Sequence, residues 1–478
     1  MLLSEKYKIP LVYLITFLFV VLSIFLVTRE FYWVALLPAG IIIALLYVYA
    51  MDMILWLIVF ATPLAINIRD LDIGVGISLP TEPLLIGVVI IFLIKLLFSV
   101  DIDRRFMRHP VTIAILLNLL WILVTSLTSE LPFVSLKFLI SRLWFVIPMY
   151  FVGSILFRKF ENAKLFSWLY VCSLMIVIAY TVYNHSLYGF SEQAGHWVMT
   201  PFYNDHTAYG AILALFIPVM FGFGFDRSDK RRVRILAFIC SGILVLALYL
   251  SYSRAAWVSV VFALGVYLLI LFRIRFRWIL ASVVLVLVIF ITFKFEILDT
   301  LEKNKQDSSA NFIEHIESIA NISSDASNLE RVNRWQSAFR MFGERPVLGW
   351  GPGTYQFEYA PFQHSAEKTI ISTNFGDKGN AHSEYIGPLA ESGLLGMLTF
   401  LAIVVLIIYT GIRVYRHAER KEVRLLSLVT VLSFVTYAVH SLMNNFLDSD
   451  KASVPFWGFA AIIVALDVYH CGSHNGVN

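Results

Sequence analysis

The sequence is poor in charge. Only 15% of its 478 residues are Asp, Glu, Lys or Arg, against 59% hydrophobic and 15% aromatic, whereas a soluble protein is about one quarter charged. With a mean hydropathy of +0.77, that scarcity excludes a soluble enzyme. Cysteine is scarce too: Cys172 and Cys240 fall inside apolar runs and Cys471 in the tail, so neither a disulfide framework nor a zinc site is expected. The basic excess, 37 residues against 33 acidic ones, is too small to point to a nucleic-acid partner. There is no G-x-x-x-x-G-K-[ST] nucleotide motif, internal repeat or low-complexity tract. The N-terminal run from Ile9 to Val27 lacks a small-residue cleavage site and reads as a retained first span.

What the sequence does have is apolar runs of spanning length. A helix crosses the hydrocarbon layer with about 20 apolar residues, and such runs lie at about 9–27, 31–50, 52–66, 84–99, 110–127, 136–157, 163–183, 207–225, 233–251, 254–272, 277–295, 385–412, 423–441 and 454–470. The expected fold class is all-α, a polytopic membrane helical bundle of about 12–14 transmembrane helices; Pro63 and the Gly-containing stretch 74–83 interrupt the third and fourth runs and leave that spread. Lys6, Lys8, Arg104, Arg105, Arg108, Arg158, Lys159, Lys164, the basic residues of 227–234, 273–277 and 413–424 all fall on one side of this threading; alternate short connections carry only Arg29, Arg69, Arg254 and Lys451. The positive-inside rule puts the first set, and both termini, in the cytoplasm. The expected organisation is transmembrane helices over 1–195 and 196–295, one large outer loop with short helices over 296–384, and transmembrane helices with a cytoplasmic tail over 385–478. Nucleotides are cytoplasmic, so outward-facing chemistry requires a substrate that is already activated, such as a lipid-linked diphosphate.

Within the large loop, Leu329, Val332, Trp335, Ala338, Phe339 and Phe342 recur at helical spacing, which predicts an amphipathic helix over Asn328–Phe342 lying on the membrane. Pro346 and Gly349, Gly351 and Gly353 end it; with no strand before it, the Gly-Trp-Gly-Pro-Gly run reads as a turn rather than a phosphate loop.

A chain so short of charge makes its misplaced charges informative. Arg254 opens a span after a near-absent outer connection, where the guanidinium and the free N–H groups of a helix start both favour a phosphate; the alternative is an interfacial arginine snorkelling to lipid. Lys137 and Arg142 lie inside an apolar run, and two cations there suit a doubly charged anion, the alternative being an ion pair such as Lys137 with Glu130. His382 stands just before a span, where an imidazole can take a proton from a hydroxyl, although a lone histidine is more often a packing residue. Glu391, further into that span, needs a partner, either a cation or the His-bearing loop. In Asn204-Asp205-His206 the competing reading is a helix N-cap. His315, His364 and His440 show no metal-ligand spacing.

These segments resemble the O-antigen ligase and O-antigen polymerase family. Ser253-Arg254-Ala255-Ala256-Trp257 is similar to its Ser-Arg-small-small-aromatic signature; Arg331-Val332-Asn333-Arg334-Trp335 followed by Pro346-Val347-Leu348-Gly349-Trp350-Gly351-Pro352-Gly353-Thr354-Tyr355 looks like its Arg…Trp helix and Pro-hydrophobic-Gly-x-Gly turn; His382-Ser383 through Glu391-Ser392-Gly393-Leu394-Leu395-Gly396 resembles a third block, and Asn204-Asp205-His206-Thr207 through Pro218 a fourth. Ser383 stands where many members carry Asn. The resemblance covers roughly residues 195–445. It implies a glycosyltransferase of the bacterial inner membrane with its site facing the periplasm, moving a glycan from undecaprenyl diphosphate to an acceptor sugar without metal or other cofactor. It further implies that Arg254 binds the diphosphate and His382 is catalytic. The substrate-binding candidates beside them are Arg142 and Lys137, from their place inside an apolar run, and Arg331, Arg334, Asn204, Asp205, His206 and Glu391. The acceptor distinguishes a ligase, which uses lipid A core, from a polymerase, which extends a lipid-linked repeat. The rival from another class, a lipid-linked glycan transporter, would more often show two similar halves.

Overall fold

The computed structural model describes residues 5–31, 37–68, 76–98, 103–274, 326–365, 368, 372 and 379–472. The apolar run at 277–295 and His315 lie outside them. In chain order the helices are α1 (Glu5–Thr28), α2 (Leu37–Tyr49), α3 (Met51–Ala61), α4 (Thr81–Phe98), the short α5 (Arg104–Met107), α6 (Pro110–Leu127), α7 (Pro132–Val146), which runs through a π-helical segment at Ile147–Val152 into α8 (Gly153–Leu156), α9 (Phe160–Leu187), the short α10 (Glu192–Gly195), α11 (His206–Phe225), α12 (Arg231–Leu250), α13 (Arg254–Leu271), α14 (Ala326–Glu344), the short α15 (Tyr355–Glu358), α16 (Ile386–His417), α17 (Lys421–His440) and α18 (Asp450–Ala465), extended by π-helix at Leu466–His470. Among the described residues, ten helices are long and apolar enough to cross a membrane. The chain is an all-α polytopic membrane protein, the architecture that satisfies every backbone polar group inside hydrocarbon. Among the described residues the one sheet, which the apolar runs do not announce, is a hairpin of β1 (Ile66–Ile68) and β2 (Ile77–Leu79), antiparallel with Ile66 opposite Leu79 and Ile68 opposite Ile77.

The chain divides into two units, residues 1–57 and 58–478. The first holds α1, α2 and most of α3 and exposes large apolar side chains such as Phe17, Ile24 and Ile42 along its helices. In the second, α11, α17 and α18 are enclosed over most of their length, whereas α4, α12 and α13 are largely exposed on their flanks. α11 packs on α12 and α17, α17 also on α13 and α16, and α16 on α6 and α14.

The basic connections of the second unit gather at one end. Lys164 Nζ pairs with Asp226 at 2.7 Å and Asp229 at 3.0 Å, Arg105 and Arg158 stand over the Tyr469 ring at 5.6 and 5.7 Å, and Arg413 and His109 meet at Asp467. α11 runs from His206 toward Asp226 and α16 from Ile386 past Arg413, so the first residues of both helices lie at the opposite end.

Candidate active site

α11 begins where Asp205 satisfies its free N–H groups. Asp205 Oδ1 accepts the N–H of Thr207 and of Ala208, both at 2.8 Å, and the Thr207 hydroxyl at 2.5 Å. The helix-cap reading of Asp205 is therefore what the geometry displays. His206 stacks on His196 with ring centroids 4.3 Å apart, and Asn204 is exposed. Just below this cap, a Cβ on Gly210 would lie 2.6 Å from Ser253 Cβ and 3.2 Å from Ala256 Cβ. The start of α13 is pressed directly onto α11, which is the physical reason for small residues around Arg254. Tyr252, in the left-handed region at φ 51°, turns the chain into α13 and anchors it by donating its hydroxyl to Phe190 O at 3.0 Å. Arg254, half-buried, thus emerges beside the cap of α11.

α14 is helical as its periodicity predicts, but the face it buries in the protein is not the apolar one. Glu330, Asn333, Arg334 and Ser337 are buried together with Ala338 and Met341, while Phe339 is 51% exposed and Val332, Trp335 and Phe342 are half-buried. The polar stripe grips the returning loop. Arg334 Nε donates to Glu330 at 2.8 Å and its Nη1 to Asn380 O at 3.2 Å; Asn333 Nδ2 donates to Gln363 at 3.0 Å; Glu330 also takes the Ser372 hydroxyl. A polar face can be buried because each group finds a partner there.

Asn380 in turn shapes the segment carrying His382, its Oδ1 accepting the His382 N–H at 3.0 Å. His382 sits at φ 48°, a conformation costing roughly 1 kcal/mol or more for a non-glycine residue. Its half-buried imidazole makes no hydrogen bond to the described residues. Ser383 Oγ accepts the N–H groups of Tyr385 and Ile386 at 3.3 Å, where the chain enters α16.

α16 is broken at Gly393 (φ 68°, ψ −169°), and the Pro346–Gly353 turn is seated in the break. Trp350 N–H donates to Ala390 O at 3.2 Å, Gly351 N–H to Glu391 O at 2.7 Å, and Leu394 N–H to Pro346 O at 3.0 Å. The turn supplies partners for backbone groups that the broken helix leaves open. From the other side Trp121 Nε1 donates to Ser392 O at 2.8 Å and Ser135 Oγ to Pro352 O at 2.9 Å. The partner that Glu391 finds is thus neither a cation nor the His-bearing loop: its Oε1 takes the Tyr355 N–H at 3.1 Å.

Arg142 and Lys137 go elsewhere. Arg142 Nη1 reaches Leu447 O at 3.4 Å, with its guanidinium 5.2 Å from the Phe138 ring centroid, and its charge acts on Glu384. Lys137 is exposed, and Glu130 pairs with Arg345 rather than with it. Glu384, which sequence reasoning passed over, is buried and accepts the N–H groups of Phe446 and Leu447, both at 2.8 Å. Burial pushes its carboxyl up to about 7. His440 was passed over as well: its Nε2 can only donate to Thr207 O, at 3.2 Å, while Nδ1 takes Asn444 Nδ2 at 3.3 Å. A histidine closing an apolar run was the available signal for it.

Around His382, then, stand Arg334, Arg331, Glu330 and Asp205, all within electrostatic reach of its ring; Arg331 and Asp205 are also within reach of His206 and His440. Residues from three distant segments converge here, and among the described residues no three His, Cys, Asp or Glu side chains form a metal-holding set. Burial, with Arg334 and Arg331 adding to it, lowers the His382 imidazole from 6.5 to about 4. The neutral ring, the form able to accept a proton, therefore persists down to about pH 4. The expected profile of any rate that depends on neutral His382 is flat from pH 8 to roughly pH 5, and an acid limb centred near 6.5 in kcat/KM would contradict it. The linked stability runs the same way: it declines as pH falls from 6.5 toward 4, because the unfolded chain takes up a proton that the folded one refuses.

Residues 236–401 match the family described as O-Antigen ligase, a stretch that includes Arg254, α14, the turn and His382. No curated protein matches the chain.

Proposed function

We propose, for a chain whose residues 236–401 match the O-antigen ligase family, that it transfers a glycan from undecaprenyl diphosphate to an acceptor sugar hydroxyl at the periplasmic face of the bacterial inner membrane. The acceptor we assign is lipid A core, making the chain an O-antigen ligase. The observation that carries the reading is the convergence on His382 of charges from α14 and the α11 cap, beside the Arg254 start of α13. One neutral base facing several cations is the arrangement a displacement at the anomeric carbon requires.

In that reaction the acceptor oxygen attacks the anomeric carbon and the bond from that carbon to the diphosphate oxygen breaks, its electron pair leaving with the diphosphate. His382 takes the hydroxyl proton as the oxygen bonds. Arg254 and Arg331 neutralise charge that grows on the leaving oxygen, in a setting where fixed donors need no reorganisation. Arg334 holds the His382 segment through Asn380, and Asp205 fixes α11 beneath it. Arg142 and Lys137 are not given diphosphate roles, since Arg142 belongs to the Glu384 and Leu447 neighbourhood; Glu391 is given a structural one.

Purified protein incubated with a lipid-linked oligosaccharide and candidate acceptors, scored by product mass, tests the reading. Product on lipid A core supports the ligase, elongation of the lipid-linked repeat replaces it with a polymerase, and binding without any new glycosidic bond overturns both. In the same assay Arg254→Ala is expected to lower transfer by about 10²–10³-fold, the usual cost of removing one donor to a developing anion, with Arg254→Lys recovering only part because a point charge lacks the guanidinium fork.

A further inference from the structure

The reacting imidazole and the arginines that face it are carried by different parts of the chain: His382 by the segment leading into α16, Arg331 and Arg334 by α14 in the large loop. Several groups set one against the other: Arg334 bonds Asn380 O directly, Trp350 joins Met341 O on α14 to Ala390 O on α16, and one buried side chain, Tyr355, reaches from Glu391 to α14. Tyr355, 1% exposed, receives Glu391 at its backbone and reaches α14 with its tip. Its N–H donates to Glu391 Oε1 at 3.1 Å and its hydroxyl donates to Arg334 O at 2.7 Å. Its ring stacks on Tyr359 at 5.1 Å, over which the Arg334 guanidinium lies at 5.3 Å. From Arg334 the connection closes on the His382 segment through Asn380 O. The path runs from Glu391 on α16 through Tyr355 to Arg334 and Asn380 and ends at His382.

We infer that Tyr355, held by Glu391, is a positioning residue for transfer: it fixes the distance and angle at which α14 presents Arg331 and Arg334 to His382. The inference rests on the reading of His382 as the proton acceptor. A strut of this kind acts where geometry is most demanding, in the transition state, so its removal lowers kcat more than it raises KM. It also leaves a mark that loss of stability alone does not. The groups facing His382 are Arg331, Arg334, Glu330 and Asp205, and burial is the largest cause of its low proton affinity; letting α14 drift admits water to the ring and moves both arginines away, with Glu330 on the same helix offsetting part of the change, so the proton affinity of the ring rises.

Tyr355→Phe removes the hydroxyl bond to Arg334 and keeps the ring stack. Its expected result is a kcat about tenfold lower, the worth of one buried hydrogen bond expressed in the transition state, with KM for the lipid-linked donor changed less than about twofold and the acid limb of kcat/KM displaced upward toward pH 6.5 from the wild-type position. Glu391→Gln keeps an acceptor oxygen for the Tyr355 N–H and is expected to retain most of the rate, whereas Glu391→Leu behaves like Tyr355→Phe. Wild-type kcat and an unmoved acid limb in Tyr355→Phe overturn the inference, as does a lowered kcat whose acid limb stays in place, since that marks loss of fold alone. His382→Ala serves as the reference. Normal transfer by it sinks the site reading and the strut together, whereas an inactive His382→Ala beside a normal Tyr355→Phe leaves the site reading intact and removes only the strut.

Discussion

His382→Ala lowers glycan transfer by about 10³-fold, within the range that a positioned general base supplies, while the protein stays folded and inserted. Both halves of that expectation come from the local geometry. The imidazole makes no hydrogen bond to the described residues, so truncating it strands no partner, and the side chain is half-buried rather than sealed in the core. The backbone conformation at φ 48° is held by Asn380 Oδ1 on the His382 N–H, an interaction that alanine keeps. The loss therefore falls on kcat, with donor retention little altered because Arg254 and Arg331 remain. Product mass from purified protein and thermal unfolding of the same sample decide it together: transfer near the wild-type rate refutes the catalytic assignment, and a collapsed unfolding temperature refutes the claim that the residue acts in chemistry alone.

Gly349→Ala abolishes transfer without touching any reacting group. At φ 67° a Cβ would sit 2.4 Å from the carbonyl carbon and oxygen of Glu391, and these are backbone atoms of a helix wedged between α6, α14 and α17. They cannot yield as the tip of a side chain would. The left-handed strain adds roughly 1 kcal/mol, and the combined cost is met by expelling the turn from the break in α16. That costs the bonds to Ala390, Glu391 and Pro346 and frees Tyr355 from Glu391. Limited proteolysis distinguishes this from a catalytic defect: cleavage within 345–355 is expected to become fast in Gly349→Ala and to stay slow in His382→Ala. A protease-resistant, active Gly349→Ala would show that the turn is not seated as described.

The spans were legible because hydrocarbon imposes its requirement on every residue it touches; the runs at 110–127 and 207–225 coincide with α6 and α11 to within a residue. The cap at Asp205 and the turn at Gly349–Gly353 were legible because each is a local bargain between neighbouring residues, written within a few positions. α14 shows where that legibility stops. Periodicity identified its apolar face, but which face meets the protein depends on partners far away in sequence, Gln363, Ser372 and Asn380 for its polar stripe. Glu391 fails to read for the same reason: a carboxylate in an apolar run announces that it has a partner, not that the partner is a backbone N–H in a turn. Tyr355 was legible only as the last residue of the turn block; in a chain that is 15% aromatic its ring carries no information about a role until both of its hydrogen bonds are seen.

Arg334 ties down both ends of the stretch between Tyr355 and Asn380. Its carbonyl holds the Tyr355 hydroxyl and its guanidinium holds Asn380, so the chain between those two residues is a lasso whose ends meet at one arginine, with Gln363 and Ser372 tied to Asn333 and Glu330 in between. Lengthening a closed loop is cheap, about 0.6 kcal/mol for each doubling, and neither end of the noose would shift. Insertions between Tyr355 and Asn380, away from Gln363 and Ser372, are therefore expected to leave both ends of the noose, and the imidazole beyond them, where they are.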